Sequence, residues 1–116
     1  MSNDHIVSSF KADLGRLDNM IAEMGGLAES QLSRSIEALC KRDLEAAERI
    51  IPADKKIDAL EEEIYEFTVK LLALRQPVAD DLQIIISAIK ISSVIERIGD
   101  YAKNISKRTI VLKEGP

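Results

Sequence analysis

Two carboxylates lie one helical turn apart in an otherwise apolar stretch near the end of the sequence. Glu96 and Asp100 are four residues apart, so a helix places them on one face at roughly 5–6 Å. Two explanations stay open for charges held this close. Either Arg97, Lys103 or solvent compensates them locally, or their oxygens bind a hard metal cation, which needs several converging acids.

A second acidic pair with the same spacing occurs upstream. Asp54 and Asp58 are also four residues apart, and Glu61 and Glu62 continue the acidic pattern. The short connection at residues 75–77 predicts that this helix packs antiparallel to the next one. That register places the two pairs opposite each other, so the sequence predicts that four carboxylates from two helices converge and need a counter-ion.

Apolar residues recur at helical spacing along three segments, and no segment shows the alternation of a β-strand. On the third segment one predicted seam comprises Ile84, Ala88, Ile91, Ile95, Ile98, Ala102 and Ile105. A second seam beside it comprises Leu82, Ile86, Ile89 and Ser93 and leads to the acidic pair. We therefore predict an all-α fold, an elongated up-down-up three-helix bundle with an aliphatic core.

Capping and helix-breaking residues predict the ends of the first two helices. Helix one begins at a cap on Asn3 or Asp4, continues through its two adjacent glycines and ends near Cys40. Asp43 caps helix two, which we expect to kink or briefly break near Pro52.

Pro77 separates helix two from helix three, which is predicted from about Val78 to about Leu112. The predicted organisation is a polar leader at residues 1–5, a single three-helix domain at residues 6–112 and a tail at residues 113–116. We expect no further domain within these residues.

Net charge, the single cysteine and the lengths of the apolar runs indicate which partners the protein can bind and in which cellular compartment it occurs. The net charge of −4 and the pI near 5.0 argue against nucleic-acid binding, which requires a basic surface. Cys40 has no second cysteine to pair with, and its place in the pattern predicts a small buried side chain. No apolar run reaches the 18 residues that a membrane span needs. These features predict a cytoplasmic protein.

The residues that enzymes use are missing from the predicted helices. The single histidine, His5, falls in the predicted leader, so a four-helix di-iron site built on Glu-x-x-His pairs is excluded. There is no G-x-S-x-G motif and no glycine-rich phosphate loop after a strand. The carboxylates have no accompanying nucleophile or oxyanion donor. We therefore expect no enzymatic activity.

Several motifs together resemble the PhoU family of phosphate-signalling regulators. Arg75-Gln76-Pro77 precedes Glu96-Arg97-Ile98-Gly99-Asp100, and Asp54 and Ile57-Asp58 match the family earlier in the chain. The resemblance covers nearly the whole chain. It implies one copy of a three-helix repeat that usually occurs twice, and this copy is most similar to the N-terminal one.

The resemblance also implies a site and a role. The family carries an acidic E(D)xxxD motif on two helices that holds iron, zinc or related metals, including Ni or Mn. At matching positions this implies the metal ligands Asp54, Asp58, Glu96 and Asp100, with Glu62 and Asn104 as further neighbours.

The role implied by the resemblance is a non-enzymatic negative regulator of phosphate uptake and of the phosphate-starvation response. It links the phosphate ABC transporter to a membrane sensor histidine kinase by protein contact. The chain is either a fragment of a two-repeat protein or a one-repeat member, and a one-repeat member is expected to form a homodimer in place of its missing half. Two other classes stay open, a generic helical interaction module and a carboxylate metal-binding or metal-sensing bundle.

Overall fold

The computed structural model describes residues 2–114, with side chains for residues 9–113. It contains three helices in this part of the chain, α1 (Ser2–Lys41), α2 (Leu44–Arg75) and α3 (Ala79–Glu114). Each helix packs against the other two, and the molecule measures 70 × 18 × 16 Å. The predicted all-α fold, an elongated up-down-up three-helix bundle, is confirmed.

The outer helix ends differ from the prediction. The backbone is helical from Ser2, so the predicted cap at Asn3 or Asp4 is wrong and α1 includes residues 2–5 of the predicted leader. Polar and acidic residues are favourable in a first helical turn, because they interact with the helix dipole. The other end of the bundle also extends further, since α3 continues to Glu114. Met1 and residues 115–116 of the predicted leader and tail lie outside the described residues.

The two connections follow the predicted turn chemistry. Asp43 caps α2, and its side chain accepts a hydrogen bond from the Ala46 backbone N–H at 3.1 Å. At the other end Gln76 adopts a left-handed conformation and its N–H donates to the Leu72 carbonyl. Pro77 follows directly. Short connections of this kind force neighbouring helices to run antiparallel.

Gly25-Gly26 and Pro52 can interrupt a helix, and both lie inside helical segments. Helix α1 runs through Gly25-Gly26 without interruption, as predicted. Helix α2 likewise runs through Pro52, so the break considered at this residue does not occur. A proline within a helix removes one backbone hydrogen bond and crowds the preceding turn, and a kink there stays a prediction.

The core is aliphatic, as predicted, and it extends along the bundle axis. Its buried residues are Leu17, Met24, Ala28, Ile57, Leu60, Ile64, Leu71, Ile85 and Ala88. Small hydroxyl residues also lie at the helix contacts and donate to carbonyls of their own helix, for example Ser92 to Ile89 and Ser106 to Ala102. These internal hydrogen bonds satisfy buried polar groups.

The predicted seams on α3 coincide only in part with the line that is buried. Ile84 and Ile91 are 44% and 48% exposed, whereas Ile85 is fully buried. The buried line includes Ala88 and Ala102 of the first predicted seam, together with Ser92 and Gly99, which neither seam contained. A prediction that is based on the largest apolar side chains therefore identifies residues on either side of the buried line of α3. Cys40, which was predicted to be buried, is also exposed.

None of the helices in residues 2–114 combines the length and the apolar character required to cross a membrane.

Candidate acidic site on helices α2 and α3

Asp54 is the most buried member of the predicted acidic set. Its residue surface is 4% exposed, and its Oδ1 atom has no hydrogen-bond partner among the described residues. Its Oδ2 atom lies 3.9 Å from Nζ of Lys103 on α3. An unsatisfied buried carboxylate oxygen costs free energy unless a donor or a cation reaches it.

Gly99 of the Glu-Arg-Ile-Gly-Asp motif allows α3 to approach α2 at this point. A Cβ atom at this residue would lie 3.0 Å from Oδ1 of Asp54 and 3.1 Å from Cδ1 of Ile57. Both distances are shorter than ordinary van der Waals contacts. The glycine therefore sets the close helix contact that buries Asp54.

Electrostatics connect Asp54 to acids on both helices. Burial raises the pKa of Asp54, and the charges of Asp58 and Asp100 raise that pKa further. Lys103 and Lys107 have the opposite effect and lower it. A raised carboxyl pKa means that the surroundings favour the neutral form, so the two lysines do not fully compensate the acids.

Glu96 completes the set of four predicted carboxylates. Burial raises the pKa of this half-buried residue, followed in order by the charges of Asp100, Glu61, Asp58 and Asp54. All four predicted acids therefore lie close enough to influence one another on the α2–α3 face. The predicted antiparallel register accounts for this arrangement. We refer to Asp54, Asp58, Glu61, Glu96 and Asp100 as the acidic site.

Glu61 belongs to the acidic site but was not among the predicted metal ligands. Burial together with the charges of Asp58 and Asp100 raises its pKa. The neighbouring Glu62, which was predicted instead, is exposed and lines a groove of about 430 Å³ beside Asp58 and Glu61. The signal that could have found Glu61 is its spacing of three residues from Asp58, because such residues share a helix face.

Asn104, the other predicted neighbour, is not brought to the acidic site. It is exposed and lines a separate groove with Lys107, Arg108 and Val111. Lys103, which the sequence offered as a compensating cation, does face Asp54. Arg97, the alternative, forms no ion pair with the described residues.

The donors of the acidic site suit a hard cation in their chemistry, since all are carboxylate oxygens and one of them is buried without a partner. Their positions are less favourable. Within residues 9–113 no three acidic, histidine or cysteine side chains lie close enough together to hold a metal ion. A metal would require the exposed and half-buried acids to change rotamer toward Asp54.

Comparison with known proteins identifies the family. The PhoU domain model matches residues 21–109. The chain belongs to the PhoU domain family. Residues 21–109 include the complete acidic site and both connections between helices. The sequence resemblance is thereby confirmed.

The chain is similar in sequence to known PhoU proteins over nearly its whole length. The chain is 48% identical over 94% of its length to a "phosphate-specific transport system accessory protein PhoU homolog" from Zymomonas mobilis, of which it covers 46%. It is 40% identical over 93% of its length to the PhoU protein of Serratia marcescens, covering 44%.

A solved structure shows the same fold. The crystal structure of PhoU from Pseudomonas aeruginosa matches 90% of this chain with a TM-score of 0.88 and 39% identity, over 50% of that protein. This chain therefore spans about half the length of the relatives it matches.

Proposed function

We propose that this chain is a non-enzymatic accessory domain that acts as a negative regulator of phosphate uptake and of the phosphate-starvation response. Support comes from its membership of the PhoU domain family and from relatives named as accessory proteins of the phosphate-specific transport system. Its proposed partners are the phosphate ABC transporter and a membrane sensor histidine kinase. It would act in the cytoplasm, by protein contact alone.

The observation that carries this proposal is an acidic surface next to an exposed aromatic side chain. The α2–α3 groove combines Asp58, Glu61 and Glu62 with Tyr65 and Ile89. Tyr65 is more than half exposed. Aromatic side chains that are exposed beside charged groups are typical of protein-binding surfaces, so we assign partner docking to this groove.

The experiment that tests docking uses the purified chain and the purified cytoplasmic domains of the kinase and of the transporter. The variant Tyr65→Ala removes the exposed ring, and Glu61→Gln removes one charge of the groove. Glu48→Gln, an exposed carboxylate earlier on the same helix, is the matched control. We expect biolayer interferometry to show roughly tenfold weaker binding for Tyr65→Ala and Glu61→Gln only. Equal binding by all three variants would place the contact elsewhere.

A second candidate function is favoured by the unpartnered Oδ1 of Asp54. In this proposal Asp54, Asp58, Glu96 and Asp100 hold Fe, Zn, Ni or Mn, with Glu61 beside them. A bound cation would neutralise the acids and stabilise the contact between α2 and α3. The chain's own residues would supply only oxygen ligands, and among these metals that donor set suits Mn best.

Metal content and thermal stability test the second candidate. Untagged protein is measured by mass spectrometry, and its thermal midpoint is recorded with chelator and with each added metal. A ligand that binds only the folded state raises the midpoint by mass action. We expect a chelator-sensitive midpoint that Asp54→Asn abolishes. If the protein contains no metal and no added metal changes its thermal midpoint, the metal-binding proposal is wrong. The acidic site is then surface charge alone, as in a generic helical interaction module.

A homodimer is proposed as the oligomeric state, because α3 exposes large apolar side chains, among them Ile84, Ile91 and Val94, that a second copy would cover. Light scattering coupled to size-exclusion chromatography measures the mass directly. A mass of twice the 12.9 kDa of the chain is expected at micromolar concentration. A mass of a single chain across the concentration range would contradict it.

A further inference from the structure

A recess between α1 and α2 lies outside the acidic site and has no role in the function proposed above. Its volume is about 320 Å³, and it is lined by both helices close to the connection between them. Its floor is formed by small or apolar side chains, Ala38, Ala46, Ile50 and Ala53. We refer to this cavity as the α1–α2 recess.

Two arginines line the α1–α2 recess from opposite helices. Arg34 lies on α1 and Arg49 lies on α2, and both line the cavity. Neither forms an ion pair with a carboxylate among the described residues. The recess therefore has two arginines that are not engaged by a carboxylate of the described residues.

The two carboxylates that also line the α1–α2 recess already have partners. Glu37 accepts a hydrogen bond from Nζ of Lys41 at 2.8 Å, and this contact lowers the pKa of Glu37. Asp43 accepts from the backbone N–H of Ala46 at 3.1 Å as the cap of α2. The charged residues that line the recess are therefore two arginines and two carboxylates. Each carboxylate already has a partner, whereas neither arginine forms an ion pair with the described residues.

A neutral donor and a helix terminus add to the arginines. Gln31 lines the same recess, is only 8% exposed and forms no side-chain hydrogen bond with the described residues. The first turn of α2 begins at Leu44 beside the recess. The Asp43 cap engages the N–H of Ala46, and the remaining first-turn N–H groups of Leu44 and Glu45 favour negative charge.

We propose that the α1–α2 recess binds a small tetrahedral oxyanion of the phosphate class through Arg34, Arg49 and Gln31. The guanidinium group presents N–H donors in a planar fork that matches such an anion. Two forks from opposite helices would contact different oxygens of the anion, and the Gln31 amide would donate to a third. The bound anion would thereby connect α1 to α2 near their common turn.

Binding is tested on the full chain by two-dimensional NMR titration with inorganic phosphate, with sodium chloride at equal ionic strength as the reference. Wild type is expected to show saturable shifts at the side-chain Nε–H signals of both arginines and at the backbone amides of residues 44–46. Arg34→Gln and Arg49→Gln are each expected to weaken binding roughly tenfold, since each removes a charged donor pair. Gln31→Leu is expected to weaken binding less.

Arg108→Gln is the matched control, because it removes the same charge from an exposed position in a different groove. It is expected to bind phosphate as the wild type does. Both arginines of the recess are exposed, so thermal midpoints close to wild type are expected and show that the variants fold.

Three results would overturn the proposal: no shifts beyond the chloride reference, an unsaturable titration, or equal loss of binding in Arg108→Gln. A second titration with O-phosphoserine distinguishes the source of the anion. Tighter binding than inorganic phosphate assigns the recess to a phosphate monoester, and weaker binding assigns it to the free oxyanion.

Discussion

Gly99 on α3 lies so close to Asp54 on α2 that a Cβ atom at Gly99 would be 3.0 Å from the Asp54 Oδ1 atom. The same Cβ atom would lie 3.1 Å from Cδ1 of Ile57, which is fully buried. This contact joins the motif of α3 to the acidic pair of α2. It holds Asp54 out of solvent and determines the electrostatics of the acidic site.

Replacing Gly99 by alanine is expected to destabilise the bundle. Alanine is the better helix former by about 1 kcal/mol, but its methyl group would push α2 and α3 apart at a packed contact. Overpacking of this kind costs about 1–3 kcal/mol, so Gly99→Ala should lose about 1 kcal/mol of unfolding free energy. Urea denaturation measures this change.

The control for this substitution is Gly26→Ala on α1. A Cβ atom at Gly26 would have no neighbour within 4 Å, so only the gain in helix propensity remains. The free energy of unfolding should rise by up to about 1 kcal/mol. If Gly99→Ala proves as stable as Gly26→Ala, the close contact at Asp54 does not exist in solution.

Replacing Asp54 by asparagine is expected to stabilise the protein in a pH-dependent way. Burial, Asp58 and Asp100 raise the pKa of Asp54 above its ordinary value of 3.8, so the folded state binds this proton more tightly than the unfolded state. The stability linked to that proton is complete below about pH 3.8 and is lost as the pH rises through the raised pKa.

Asp54→Asn removes that loss, so the variant should be more stable than wild type at pH 7. The difference should shrink toward zero near pH 4. Chemical denaturation across this range tests the prediction, with Glu48→Gln as an exposed control. Lower stability of Asp54→Asn at pH 7 in metal-free buffer would show that the Lys103 contact outweighs burial.

Adjacent isoleucines on α3 should respond very differently to truncation. Ile85 is fully buried, and Ile84 is 44% exposed. Ile85→Ala should cost about 2–5 kcal/mol, because it removes packed methyl groups and leaves a cavity. Ile84→Ala should cost less than about 1 kcal/mol, since half of its side chain already contacts water. Equal costs in denaturant unfolding would contradict the register of α3.

An ion pair between α1 and the end of α2 should contribute modestly to stability. Nε and Nη2 of Arg75 donate to Oδ2 of Asp13 at 3.2 and 3.0 Å, and both side chains are less than one-third exposed. Asp13→Asn should lower the free energy of unfolding by about 0.5–1 kcal/mol. Because salt screens such pairs, the loss should diminish at 1 M NaCl. A loss that is independent of salt would indicate a packing effect.

Local chemistry made the helices predictable. Asp43 has the side chain that caps a first turn, and Pro77 cannot continue a helix, so the connections were evident before the structure. The spacing of Asp54 and Asp58, and of Glu96 and Asp100, placed each pair on one face because helical periodicity is local. The antiparallel register then brought the two pairs together.

Helical periodicity does not determine which of two neighbouring residues faces the inside of the bundle. Ile84 and Ile85 are equally apolar, as Glu61 and Glu62 are equally acidic, and only the rotation of each helix about its axis decides which of them faces inward. That rotation depends on the fit of all three helices. Large apolar residues at the flanks of α3 mislead a pattern that assumes that the bulkiest side chains are buried.

The sequence by itself determined the helical class, the two connections, the antiparallel order and the acidic pairs, because each depends on interactions between residues near in the chain. Tertiary structure alone decided that Gly99 meets Asp54, that Glu61 joins the acidic site and that Arg34 and Arg49 share one recess. Those relationships depend on contacts between different helices, whose axial rotation and spacing are set by packing of the whole core.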